Sequence, residues 1–248
     1  GMQAAITASD RGHQVILCEK ENVLGGLINF TDHTDHKVDI RNYKNLLIRE
    51  VEKRPVEVHT GCEVTADIIK EIKPEAVILA VGSDDLILPI EGIENAMTAM
   101  EVYENDFAGL GKRTIVLGGG LVGCEAAADY IEHGIETTIV EMQECLMPET
   151  TGLYRTAVHD FIDKNGGKYE VNAKVVKIGK DFVVAKQKGK EITIKADSVV
   201  NAMGRRAHKV DDLKAVITVP VWEIGDCTKA RQIGDAVREG WTAAMEII

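Results

Sequence analysis

Residues 114–141 constrain the fold more than any other part of the chain. An apolar run, TIVL, leads into Gly118, Gly119 and Gly120 and then Gly123, giving G-x-G-x-x-G spacing. An Ala-rich stretch follows, then a second apolar run, TTIV, ending at Glu141. Short apolar runs bounded by glycine read as buried parallel strands, and the small residues between them read as a helix packed closely on the sheet. In such a strand–turn–helix–strand unit, Gly118 permits the tight turn, Gly120 lets a pyrophosphate approach the backbone, and Gly123 lets helix and strand touch. The helix N-terminus offers unpaired N–H groups to the anion. Glu141 is placed to accept hydrogen bonds from adenosine ribose hydroxyls. Residues 142–145 (MQEC) carry no Lys or Arg for a 2′-phosphate, so NADH is expected over NADPH. The plainer alternatives are a glycine-rich turn that serves packing alone and a solvated strand-end carboxylate.

The opening segment, GMQAAITASDRGHQVILCEK, repeats the second half of that unit. Laid over it without a gap, Gly1 falls on Gly123, Ala4 on Ala126, Ala5 on Ala127, Gly12 on Gly134 and Glu19 on Glu141. A second unit is therefore expected, entered at its third glycine, with its first strand and first two glycines missing. Gly1 before Met2 also matches what tag cleavage leaves behind. Glu19 inherits the ribose role toward a second dinucleotide, without the phosphate-binding turn.

With 248 residues, 45% of them hydrophobic and 28% charged, the chain can fill one large or two medium cores. Its 29 Lys and Arg against 40 Asp and Glu leave a net charge of −11, which opposes a nucleic-acid or anionic-membrane surface. No run approaches the ~20 apolar residues of a bilayer span, and the N-terminus has no signal-peptide pattern, so a cytoplasmic location is expected. Cys18, Cys62, Cys124, Cys145 and Cys227 form no CxxC pair. Free thiols are expected rather than a disulfide frame, a zinc site or a redox dithiol.

Elsewhere apolar strands alternate with amphipathic helices, which predicts an α/β fold with parallel sheets. After Glu19 the segment KENVLGGLINFTDHTDHK reads as loop, followed by a helix from about residue 39 to 53 and a strand, VEVH. TADIIKEIKP reads as a helix stopped before Pro74, EAVILAVGS as a buried strand ending at Gly82, and DDLILPIEGIENAM as a crossing segment. A helix is expected around residues 153–164. KVVKIG, FVVAKQ and EITIK, separated by GKD and KGK, predict an antiparallel meander. DSVVNAMGRRA then repeats the strand-to-glycine design of EAVILAVGS, and VPVWEIGDC leads into a closing helix. The paired exits predict one domain inserted within another.

Asp226 follows a strand and Gly225 near that helix, where a carboxylate can bind the polyol chain of a flavin. The run DHTDHK holds two His and two Asp, but its spacing suits no helical ligand pair, and it reads as a solvated loop rather than a metal site. Arg205 and Arg206 read equally as phosphate contacts or as an exposed crossing segment. No Ser/His/Asp or Cys/His constellation is present. None is required where hydride passes from a nicotinamide C4 to a flavin N5 and the protein supplies alignment.

Five ordered motifs, GHQVILCEKENVLGGLINF, PEAVILAVGS, IVLGGGLVGCEAA, VVNAMGRR and EIGDCTKARQIGDAVREG, resemble the C-terminal FAD/NAD(P)-binding portion of the NADH:flavin oxidoreductase and 2,4-dienoyl-CoA reductase family. This portion has a pyridine nucleotide-disulfide oxidoreductase-like fold. The resemblance spans essentially the whole chain. It implies two Rossmann-like domains, an FAD domain at residues 1–85 and 206–248 and an inserted NAD(H) domain at 86–205. Gly1, Glu19, Lys20, Gly26, Ala80, Gly82, Gly225 and Asp226 would then line FAD. Gly118, Gly119, Gly120, Val122, Gly123, Glu141 and Gly204 would surround NAD(H), with Glu125 orienting the nicotinamide. In the resembling family an N-terminal TIM barrel carries FMN and a 4Fe–4S cluster and passes electrons to an unsaturated substrate. This chain has neither barrel nor clustered Cys, so the implied acceptor is a missing barrel domain or a partner subunit. Two alternatives stand beside this reading. One is a non-catalytic ADP-binding module of the trimethylamine dehydrogenase type; the other is an electron-input subunit resembling the small subunit of glutamate synthase.

Overall fold

The structure, a computed structural model, describes residues 1–150 and 152–248. The chain falls into two compact units, residues 1–84 with 205–248, and residues 85–204. The first unit opens with helix α1 (Met2–Asp10) and strand β1 (Val15–Cys18), then α2 (Val38–Glu52), β2 (Val56–His59), α3 (Ala66–Ile72), β3 (Val77–Leu79) and β4 (Ser83–Asp85). Thr65 caps α3 by accepting the Ile68 N–H, and Lys73 ends the helix at φ +53 just before Pro74. β1 pairs with β2 in parallel, Val15 opposite Val56 and Cys18 opposite His59. The segment read from sequence as loop is partly coiled into 3-10 turns at Gly26–His33 and Asp35–Lys37. In the first of these the buried Thr31 hydroxyl donates to the Ile28 carbonyl at 2.7 Å.

The second unit holds β5 (Ala96–Thr98), α4 (Ala99–Glu104), β6 (Arg113–Leu117), α5 (Leu121–Glu132), β7 (Glu136–Val140), α6 (Leu153–Lys164) and β8 (Lys168–Glu170). After them come β9 (Ala173–Ile178), β10 (Phe182–Gln187), β11 (Lys190–Lys195) and β12 (Ser198–Asn201). Five parallel strands run in the order β5-β12-β6-β7-β8, and β9, β10 and β11 form the antiparallel meander. Alternation along β6 divides the core between two faces. Val116 packs with Ala126, Ala127, Tyr130 and Ile162 of the helices, whereas Ile115 and Leu117 pack with Val183 and Ala185 of the meander. All three β6 residues are fully buried, each contributing roughly 1.5–3 kcal/mol by the apolar surface it removes from water.

The chain re-enters the first unit through β13 (Arg205–Ala207), which pairs with β4. It continues through α7 (Asp211–Lys214) and β14 (Val221–Glu223), parallel to β3, and ends in α8 (Ile233–Glu246). Gly240 of α8 lies so close to α1 that a Cβ there would stand 3.2 Å from the Ala4 amide nitrogen.

The sequence repeat is reproduced in matching backbone hydrogen bonds. Gly12 and Gly134 both adopt positive φ, and their N–H groups donate to Ser9 and Ile131, each at 2.9 Å. Glu19 N–H bonds to His59 O as Glu141 N–H bonds to Glu170 O, both at 2.8 Å. Cys62 N–H and Ala173 N–H then bond back to the Glu19 and Glu141 carbonyls, both at 2.9 Å. No helix among the described residues is long and apolar enough to cross a membrane.

Candidate functional site

β6 delivers the glycine loop from the middle of its sheet to the C-terminal edge, where ligands bind in open α/β folds. Gly118 adopts φ +101, and a Cβ on it would lie 2.5 Å from the Ala202 carbonyl oxygen. A Cβ on Gly123 would lie 1.9 Å from the Gly118 oxygen, and one on Gly119 would crowd Leu146 and Glu141. These three positions are glycine because the fold itself leaves no room. Gly120 differs. Its φ of −71° and ψ of −171° suit any residue, and among the described residues a Cβ there would meet only the Glu149 carboxylate, at 3.2 Å. Nothing in the backbone of this unit forbids a side chain at Gly120, so its bareness is free to serve an incoming molecule.

Gly120 is also the N-cap of α5, with no side-chain cap. Around that helix start the carboxylates are arranged closely. Glu141 is buried; its Oε2 accepts the Gly119 N–H at 2.6 Å and its Oε1 the Gln143 N–H at 2.7 Å. Glu149 Oε1 accepts the Leu121 N–H at 2.7 Å. Glu125 accepts the Tyr154 hydroxyl, and Val122 is 46% exposed beside it. Beneath the loop the Cys124 thiol donates to the Gly119 carbonyl at 3.3 Å. Burial pushes this thiol up to about 12; the carboxylates of Glu149, Glu141 and Glu125 add to the shift, and Arg155 opposes it. Gly204 is exposed at φ +120, its carbonyl accepting the Leu86 N–H at 2.9 Å. Glu149 carries no local sequence signal, since it meets the loop only through the fold of residues 141–149.

In the first unit the sequence candidates gather at the C-terminal ends of β1, β3 and β14. Ala80 and Gly82 follow β3, and Gly225 and Asp226 follow β14. The Ser83 hydroxyl donates to Asp226 Oδ2 at 3.3 Å, and the Arg231 N–H to its Oδ1 at 3.1 Å. Gly225 adopts φ +68 and donates its N–H to Glu239 Oε2 at 2.7 Å. Gly82 adopts φ +77, and among the described residues nothing lies within 4 Å of a built Cβ, which leaves its surface open. Arg205 reaches Ser83 Oγ at 2.9 Å, while Arg206 is exposed. Beyond β1, Glu19 accepts the Glu21 N–H at 3.0 Å, Lys20 is exposed, and Gly26 begins the 3-10 turn at φ +55. Gly1 stands between β1 and the end of β3, a Cβ there falling 3.7 Å from Leu17 and 3.8 Å from Ala80. In the DHTDHK segment, which reads from sequence as a solvated loop, Asp32 pairs with the buried Lys44 ammonium.

Residues 1–244 match the family model described as pyridine nucleotide-disulphide oxidoreductase. The chain is 35% identical to the NADH oxidase of Thermoanaerobacter brockii, covering 100% of this chain and 39% of that protein. It is 33% identical to the bilirubin reductase of Mediterraneibacter gnavus, covering 98% and 38%. Among solved structures it superposes on 2-naphthoyl-CoA reductase in complex with 2-naphthoyl-CoA, with a TM-score of 0.91 and 27% identity over 99% of this chain and 38% of that one. The chain thus spans about two fifths of the length of the curated relatives it matches.

Proposed function

The chain belongs to the pyridine nucleotide-disulphide oxidoreductase family, and from that premise we propose that it is the paired dinucleotide-binding portion of a larger flavin-dependent NADH oxidoreductase. The second unit takes NADH on the glycine loop, and the first takes FAD at the ends of β1, β3 and β14. When bound, these cofactors supply hydride transfer from nicotinamide C4 to flavin N5. The chain's own residues bind and orient. The bare Gly120 admits the pyrophosphate to the N-terminal N–H groups of α5. Glu141 braces the loop through Gly119 and Gln143, and its remaining lone pairs accept the ribose hydroxyls and repel a 2′-phosphate. Val122 and Glu125 flank the nicotinamide end, with Gly204 beyond them. Glu19 takes the FAD ribose, Asp226 the polyol chain, and Lys20, Gly26, Ala80, Gly82 and Gly225 complete the cradle.

Gly120 is the observation that carries this reading, because packing accounts for its three neighbours and not for it. The length of the relatives beyond the match supports a further electron-accepting domain or subunit, to which the sequence resemblance would assign FMN and a 4Fe–4S cluster, and their reductase names support an unsaturated final substrate. The test is an absorption spectrum of the chain incubated with FAD, desalted, then exposed to NADH without oxygen. A retained flavin band that bleaches is expected. NADH binding without bleaching of retained flavin would instead make the glycine loop a structural nucleotide site of the ADP-holding kind.

A further inference from the structure

The N-terminus of α5 already holds an anion, and the chain supplies it. Leu121 is the first residue of the helix, and its N–H donates to Glu149 Oε1 at 2.7 Å. The same oxygen lies 3.2 Å from where a Gly120 Cβ would be, so the carboxylate rests beside the loop glycine that packing leaves free. Glu149 is otherwise exposed, and it follows Met147, whose left-handed φ of +50 turns the chain back toward the loop. Met147 N–H fixes that turn on the Gly119 carbonyl at 2.7 Å. The surroundings are already acidic: the buried Cys124 thiol senses Glu149, Glu141 and Glu125 together, against Arg155 alone. A dianionic pyrophosphate arriving here competes for an occupied N–H and meets a like charge beside it.

We propose that Glu149 is an internal competitor that occupies the pyrophosphate position of α5 in the free protein and is displaced by the incoming dinucleotide, so that this side chain sets nucleotide affinity. The assignment rests on the reading of the glycine loop as the NADH site. Unlike Glu141, whose carboxylate is buried and holds two backbone N–H groups, Glu149 can leave by side-chain rotation and trade its hydrogen bond for water. Glu149→Gln keeps the shape and removes the charge, and Glu149→Ala removes the competitor outright.

The test is a fluorescence titration of the 248-residue chain and both variants with NADH and with ADP-ribose. Adenosine, which lacks the pyrophosphate, serves as the control, and thermal unfolding without nucleotide verifies that each variant folds. The expected result is a Kd for NADH and ADP-ribose about three- to ten-fold lower in both variants, unchanged for adenosine, with the gain shrinking as salt rises. If the parent chain binds NADH and neither variant binds it more tightly, Glu149 is only a helix cap and the proposal falls while the NADH reading stands. An equal gain with adenosine would also overturn it, because the effect would not concern the pyrophosphate. If no form binds NADH, both readings fail together.

Discussion

Gly120 and Gly123 stand one helical turn apart and carry opposite burdens. A methyl on Gly123 would have to sit 1.9 Å from the Gly118 oxygen, which backbone cannot yield cheaply, so Gly123→Ala is expected to destabilise the chain by about 2–4 kcal/mol in urea unfolding. Among the described residues Gly120→Ala meets only a movable carboxylate, and stability should stay within about 0.5 kcal/mol while NADH affinity falls about ten-fold or more. A large stability loss in Gly120→Ala would return the loop to a purely structural role. Cys124 gives the loop a pH signature. Its thiol is raised from 9.0 to about 12, so the native state keeps a proton that the unfolded chain releases above about pH 9. Its contribution is complete below pH 9 and is lost as pH climbs toward 12. Cys124→Ala should therefore flatten the alkaline decline of stability by about 1.4 kcal/mol per pH unit in that window, read by unfolding at stepped pH. Glycine spacing made the loop legible from sequence, because each position answers to a local steric rule. Glu149 was not legible, since its partner Leu121 is reached only after β7 and the following loop have folded back.

At the scale of elements, what is local was readable and what is long-range was not. The β10–β11 hairpin was announced by KGK between alternating strands. Gln187 pairs with Lys190, and Lys188 and Gly189 make a two-residue turn at φ +50 and +78, the mirror-image turn that matches strand twist. A lysine in that left-handed position is strained where asparagine is at ease, so Lys188→Asn should raise stability by about 0.5–1 kcal/mol, measured by thermal unfolding. No gain would mean that the Lys188 side chain makes compensating contacts. The helix α6 and the apolar strands follow equally from period. The turn at Gly26–His33, GLINFTDH, reads as loop from sequence because its apolar residues Leu27, Ile28 and Phe30 make too short a pattern to announce a helix, yet the buried Thr31 hydroxyl closes it on Ile28. Likewise the parallel pairing of β14 with β3 joins segments far apart in sequence, and no local pattern announces it.

Over the whole molecule one unit design is used twice, and each use has its own core. The clusters built on Val116 and on Ile115 lie wholly in the second unit, and those built on Ala4 and on Ile6 wholly in the first. The strand-end acids Glu19 and Glu141 occupy equivalent places, each accepting the N–H two residues on, from Glu21 and from Gln143. They differ in one bond: Glu141 also holds the buried Gly119 N–H, whereas Glu19 is half-buried. Truncating Glu141 therefore orphans a buried donor, and Glu141→Ala should cost about 1–3 kcal/mol of stability, against less than 1 for Glu19→Ala. The nucleotide effects should separate in the same way. Glu141→Ala should weaken NADH more than NADPH, because it removes a ribose acceptor and a repulsive charge at once, and it should leave FAD retention unchanged. Glu19→Ala should loosen FAD and leave NADH affinity as it was. Titration of each variant with both nucleotides decides the matter: two independent losses mean that the repeat encodes two sites, whereas a Glu19→Ala variant that loses NADH as strongly as FAD would mean that only one nucleotide site exists.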